Sequence, residues 1–126
     1  MFDAEISILS YAASDVILIV DDDRTIREVV AEYLQDSGYP VIQAAGGSEA
    51  LQLIAERPEL RVLITDVRMP GMSGIELAEK ARRENGSLKI ILISGYFQPQ
   101  PIKQRFLRKP FRMKELEAAV RAELAA

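Results

Sequence analysis

The stretch Val16-Ile17-Leu18-Ile19-Val20-Asp21-Asp22-Asp23 decides the fold. Five consecutive apolar residues, four of them β-branched, read as a strand covered on both faces, because a half-exposed strand would alternate with polar residues. Such a strand belongs inside a parallel sheet that carries helices on each side. It stops on three carboxylates. In open parallel sheets, ligands bind in the crevice beyond the carboxyl ends of the strands, so this end is where chemistry is expected.

The rest of the chain repeats a strand-helix rhythm outward from this run. Thr25 to Ser37 puts Ile26, Val29, Val30, Tyr33 and Leu34 on one helical face and stops at Gly38, a good C-terminal cap. Tyr39-Pro-Val-Ile-Gln43 is a weaker strand whose Pro40 suits a sheet edge. Ser48 to Arg57 carries Ala50, Leu51, Ile54 and Ala55 at helical spacing and ends before Pro58. Arg61 to Thr65 is a strand that ends on Asp66, and a Pro70-Gly71 loop leads to a helix from about Gly74 to Glu84, with Ile75, Leu77, Ala78 and Ala81 inward. Leu88 to Ile93 and Arg105 to Arg108 are the last two strands, and Met113 to Leu124 closes the chain as an amphipathic helix.

Strands that alternate with helices imply parallel βαβ units with right-handed crossovers. With the first strand central and an edge-like neighbour after it, the predicted fold is α/β, a flavodoxin-like doubly wound five-stranded sheet of order 2-1-3-4-5. The interval Gly95-Tyr-Phe-Gln-Pro-Gln-Pro-Ile-Lys-Gln104 holds two prolines. It has room for roughly one or two helical turns, so the fourth helix is predicted short, irregular or missing.

Composition narrows the chemistry. The chain has 126 residues, 48% hydrophobic and 28% charged, enough for one domain with its own core. It contains no cysteine and no histidine, so disulfides, thiolate sites and the usual zinc ligands are excluded. Any metal must be held by oxygen, which points to a hard cation. A net charge of −3 gives no electrostatic reason to expect nucleic acid. No run reaches the ~18 apolar residues of a membrane span. The first 14 residues lack the basic start and apolar centre of a signal peptide. A cytoplasmic protein without membrane contact is the expectation.

Four strands end in matching chemistry: the first in Asp21-Asp22-Asp23, the third in Asp66, the fourth in Ser94 and the fifth in Lys109-Pro110. In the order 2-1-3-4-5 these strands are adjacent, so their ends converge on one crevice. Crowded carboxylates repel unless a cation sits between them, and a hard divalent ion such as Mg2+ resolves the conflict. A lysine ammonium and a serine hydroxyl opposite would bind phosphoryl oxygens. Together these groups suit phosphoryl transfer onto a carboxylate. Taken singly, each has a plainer reading: Asp21–Asp23 as a helix N-cap cluster, Ser94 as a turn residue, Lys109 as a solvated charge. Their convergence favours the joint reading.

Val20-Asp-Asp-Asp-Arg-Thr-Ile-Arg27, Thr65-Asp-Val-Arg-Met-Pro-Gly-Met-Ser-Gly74, Ile93-Ser94 and Phe106-Leu-Arg-Lys-Pro-Phe111 resemble the receiver domain of two-component response regulators. The resemblance covers about residues 15–125, and leaves 1–14 as an N-terminal extension to a receiver domain at 15–126. It implies that Asp66 is the phosphoacceptor, attacking the phosphohistidine of a histidine kinase or histidine phosphotransfer protein. It further implies that Asp21, Asp22, Asp66 and the backbone carbonyl of Arg68 hold Mg2+ or Mn2+. Ser94 resembles the hydroxyl residue that moves toward the phosphoryl group, and Lys109 the lysine that contacts it, with a cis Lys109–Pro110 bond. Phe106 resembles the aromatic switch residue. Arg68 and Tyr96 occupy positions that tune the lifetime of the aspartyl phosphate.

The implied role is that of a signalling phosphoacceptor that assists its own phosphorylation and dephosphorylation, not a conventional enzyme. The interval from Ser94 to Lys109 is about two helical turns shorter than usual in the family, a feature similar to receivers of hybrid histidine kinases and to some stand-alone receivers. No output domain is expected within these 126 residues, and Met1 with the unmatched N-terminus leans toward a stand-alone receiver; a homodimer and an unknown downstream protein stay open. The basic run Lys103, Arg105, Arg108, Lys109, Arg112 and Lys114 reads as a solvated face, or as a surface for an acidic partner.

Two other functions compete. Asp21-x-Asp23-x-Thr25 fits the DxDxT motif of haloacid-dehalogenase-like phosphatases, with Asp21 as nucleophile and Asp23 as acid/base. That reading needs further acidic ligands after Lys109, where only Glu115, Glu117 and Glu123 remain. A pseudo-receiver, an interaction module that never takes phosphate, is the third possibility.

Overall fold

Strand β1 (Val16–Val20) is hydrogen-bonded on one side to β2 (Val41–Ala44) and on the other to β3 (Leu60–Asp66), all parallel. Strands β4 (Lys89–Ser94) and β5 (Arg105–Arg108) extend the sheet beyond β3, giving the order β2-β1-β3-β4-β5. The computed structural model describes residues 15–95 and 103–126. The N-terminal extension, Tyr96 and the short helix predicted between the fourth and fifth strands lie outside the described residues. Helices α1 (Arg24–Asp36), α2 (Gly47–Glu56), α3 (Gly74–Glu84) and α4 (Met113–Ala125) cover the two faces. None of these helices is long and apolar enough to cross a membrane.

The unbroken apolar run of β1 serves both layers. Val16, Leu18 and Val20 point to a core shared with α2 and α3, through Ala50, Ile54, Leu77, Ala78 and Ala81. Ile17 and Ile19 point to the opposite core with Val30, Leu34, Leu116 and Val120 of α1 and α4. All five β1 residues are buried. Leu18 is fully enclosed, and truncating it to alanine costs about 2–5 kcal/mol.

The helices start and stop where capping chemistry allows. Asp23 caps α1, its Oδ1 accepting from Ile26 N at 3.1 Å, and Gly38 leaves the helix at φ 101°, a conformation that favours glycine. Ser73 caps α3 through Oγ, which accepts from Glu76 N at 3.1 Å. Pro40 stands just ahead of β2, and its carbonyl accepts from Ile17 N at 2.9 Å; the edge strand therefore begins at Val41, not at Tyr39.

Two apolar faces differ from the sequence expectation. On α1 the buried residues are Val30, Ala31 and Leu34, while Ile26 and Val29 are exposed, by 42% and 57%. At 100° per residue, Ala31 continues the stripe from Val30 and Leu34 better than Val29 does, and Ile26 sits in the first turn. On α2, Ala55 is exposed and Gly47 is buried in its stead.

Candidate functional site

The four strand ends meet. Asp66 is the last residue of β3, and Ser94 the last of β4. Parallel register pairs Asp66 with Ile93 and Ser94 with Arg108. Lys109 follows β5 and is tied back by its main chain, its N–H donating to Ser94 O at 2.9 Å. The Lys109–Pro110 bond is cis. From this anchor the lysine reaches across, and its Nζ donates to Asp66 Oδ2 at 3.0 Å. The other oxygen, Asp66 Oδ1, accepts from Arg68 N at 3.3 Å.

Asp21, Asp22 and Asp66 each offer a carboxylate oxygen within 4.8 Å of the other two. Asp21 is buried, Asp22 exposed and Asp66 between them. The Asp21 carboxylate accepts from Asp23 N at 2.9 Å. Burial pushes the Asp21 carboxyl above its usual range, against the lowering effect of that hydrogen bond; the charge of Asp66 adds to the rise, the Lys109 ammonium opposes it, and Asp22 raises it further. Three acidic oxygens around one small volume, with one ammonium among them, form a donor set for a hard divalent cation. The fit to Mg2+ or Mn2+ rests on this donor set.

The loop after Asp66 is held tightly to it. Val67 N donates to Ile93 O, and Gly74 N donates to Val67 O, both at 2.8 Å. A Cβ at Gly74 would collide with the Asp66 carbonyl and crowd the Val67 Cα, so only glycine lets α3 begin there. Thr65, fully buried, donates its hydroxyl to Asp66 O at 2.9 Å. The phosphoacceptor candidate is therefore fixed from its main chain as well as its side chain.

Ser94 is fully buried. It shares a sheet face with Leu92, and Leu92 is in register with Phe106, so Ser94 and Phe106 lie on the same layer. Phe106 is partly buried against that core. The cleft beside the carboxylates is lined by Asp21, Arg27, Asp66, Lys109 and Phe111, with Ile26 of α1. Arg68 is exposed, as are Lys103, Arg105, Arg108, Arg112 and Lys114 of the basic run, while Lys109 turns inward. Two side chains without a role in the sequence reading join the site: Thr65, and Arg27, whose Nη1 donates to Asp21 O at 2.7 Å. Position offered a clue only for Arg27, in the first turn of the helix that follows the acidic loop.

The three glutamates after Lys109 are engaged elsewhere. Glu115 accepts from Arg112 N at 3.0 Å. Glu117 pairs with Arg121 at 2.9 Å, and Glu123 with Arg105 at 2.7 Å. Asp23, the acid/base of the DxDxT reading, is spent on capping α1.

Residues 17–121 match the response regulator receiver domain family. The chain is 35% identical over 121 residues to the sensor kinase CckA of Brucella abortus, covering 90% of this chain but only 13% of that kinase. It is 33% identical over 119 residues to sporulation initiation phosphotransferase F of Bacillus subtilis, covering 88% of this chain and 94% of that one. Among solved structures, the response regulator TrrA of Thermotoga maritima, in complex with Mg(2+)-BeF, superposes with a TM-score of 0.79 at 33% identity, over 86% of this chain and 98% of that one. Strand order, strand-end chemistry and these similarities agree, and the chain belongs to the response regulator receiver domain family of two-component systems.

Proposed function

We propose that this chain is a phosphoacceptor in a two-component phosphorelay, taking a phosphoryl group on Asp66 from the phosphohistidine of a histidine kinase or phosphotransfer protein. The observation that carries the reading is the Asp66 carboxylate between the Lys109 ammonium, 3.0 Å away, and the carboxylates of Asp21 and Asp22. An Asp66 oxygen attacks phosphorus, the P–N bond breaks, its electron pair stays on the imidazole nitrogen, and Asp66 becomes an acyl phosphate. Asp21, Asp22, Asp66 and the Arg68 carbonyl would hold Mg2+ or Mn2+, which when bound supplies neutralising positive charge to the phosphoryl oxygens.

Lys109 exchanges its pairing with Asp66 for the added phosphoryl oxygens. Ser94 donates its hydroxyl to the same group, and Phe106, on the same layer, moves into the space Ser94 leaves. The new charge thereby favours one of two arrangements of Ser94, Phe106 and Lys109, which a downstream partner reads. Ile26 and Val29, the exposed large apolar residues on α1, suit docking of the phosphodonor protein beside the cleft. Arg68, two residues after Asp66, and Tyr96, two after Ser94, tune the lifetime of the acyl phosphate.

The test is transfer from a phosphorylated histidine phosphotransfer protein in the presence of Mg2+. Wild-type protein should become labelled and Asp66→Asn should not. Turnover of a phosphate ester that is lost in Asp21→Asn and kept in Asp66→Asn would instead support the phosphatase reading. A wild-type protein that takes no label from any donor would support the pseudo-receiver.

A further inference from the structure

Arg27 is half-buried in the first turns of α1, and both ends of its guanidinium are committed. Nη1 donates to the main-chain carbonyl of Asp21 at 2.7 Å, and Nε donates to Gln43 Oε1 on the edge strand β2 at 3.0 Å. The carbonyl it grips belongs to the planar peptide joining Asp21 to Asp22. Holding that plane restrains ψ of Asp21 and φ of Asp22, the torsions that set how the chain carries Asp22 relative to Asp21. A main-chain bond to Asp21, from its N–H to Ala44 O, is longer at 3.3 Å. A short, charge-assisted bond from a planar guanidinium is the stronger constraint.

We propose that Arg27 is a positioning residue for the divalent-cation site, and that Gln43, whose side-chain oxygen is taken up by the Arg27 guanidinium, acts on the site by bracing Arg27. The inference rests on the reading of Asp21, Asp22 and Asp66 as cation ligands. Sign separates it from a merely electrostatic role. A cation beside an acidic cluster opposes the binding of another cation, so loss of the charge alone would tighten Mg2+ binding. Loss of the positioning bond weakens it.

Calorimetric titration of the folded protein with Mg2+ at fixed ionic strength tests the proposal, with Gln43→Leu, Arg27→Ala and the double variant beside wild type. Partners that orient metal ligands typically contribute about 10–100-fold in affinity. The dissociation constant is expected to rise by about tenfold in Arg27→Ala, and by about threefold in Gln43→Leu. The double variant should be no weaker than Arg27→Ala, because Gln43 works only through that side chain. An unchanged or tighter constant in Arg27→Ala overturns the proposal, as does an additive effect in the double variant. Gln43→Leu alters one exposed side chain and no charge, so an unchanged constant there overturns the bracing role even where Arg27→Ala fails to fold. Wild-type protein that binds no Mg2+ would refute the underlying site reading, a result distinct from all of these.

Discussion

Replacing Asp21 by asparagine removes one of three negative charges whose oxygens lie within 4.8 Å of one another. At that separation each repulsive pair costs about 1 kcal/mol in water and about 3.5 kcal/mol at an effective dielectric of 20. Asp22 is exposed, so its share lies near the lower figure, and the Lys109 ammonium at 3.0 Å from Asp66 offsets part of the rest. The amide oxygen of the replacement side chain can still accept from Asp23 N, so the loop keeps its bond. Without divalent cation, Asp21→Asn should therefore be more stable than wild type by about 1 kcal/mol, a rise of about 3–5 °C in Tm. Thermal unfolding followed by circular dichroism in EDTA reads this directly.

The pH dependence carries a definite sign. Burial and neighbouring carboxylates raise the Asp21 carboxyl above its ordinary value, so the folded state holds that proton more tightly than the unfolded chain. Ionised Asp21 costs stability, fully so above the raised value, and the cost disappears as pH falls through it toward the ordinary carboxyl range. The advantage of Asp21→Asn should shrink over the same window. Saturating Mg2+ should reverse the order at neutral pH, because the cation stabilises only a protein that binds it. A variant less stable than wild type in EDTA, or stabilised by Mg2+ as much as wild type, would refute the reasoning.

Gly74→Ala should destabilise the protein by about 1–3 kcal/mol or more through overpacking against the Asp66 carbonyl, measured by urea unfolding, and should slow phosphorylation of whatever remains folded. Arg68→Ala and Tyr96→Ala should each shorten the lifetime of the acyl phosphate; hydrolysis rates equal to wild type would argue against that role. Binding of an acidic downstream partner to the exposed basic residues Lys103, Arg105, Arg108, Arg112 and Lys114 should weaken steeply with added salt, whereas a solvated face would give a flat dependence.

Periodicity made the sheet legible because β1 and β4 are buried on both faces and leave no ambiguity about their neighbours. The order of strands alone then brings together the strand ends that carry Asp21, Asp22, Asp66, Ser94 and Lys109. Helix faces were harder to read. Ile26 and Val29 fit the apolar stripe of α1 by spacing, yet they are exposed, since a helix lying across a sheet uses a narrower stripe than hydrophobicity alone suggests. Position puts Arg27 near the acidic loop, but its grip on the Asp21 carbonyl and its brace at Gln43 are not legible in a single sequence, because they join side chains on separate elements to a main-chain atom. Gly74 was visible as the start of a helix, but the reason for a glycine there, contact with the Asp66 main chain, needs the fold.

The most direct test of the central claim is intact-mass analysis after incubation with a small phosphoramidate and Mg2+, followed by peptide mapping. The account predicts one added phosphoryl group, carried on Asp66, dependent on Mg2+ and absent from Asp66→Asn. A phosphoryl group on Asp21, or equal labelling of Asp66→Asn, would contradict it.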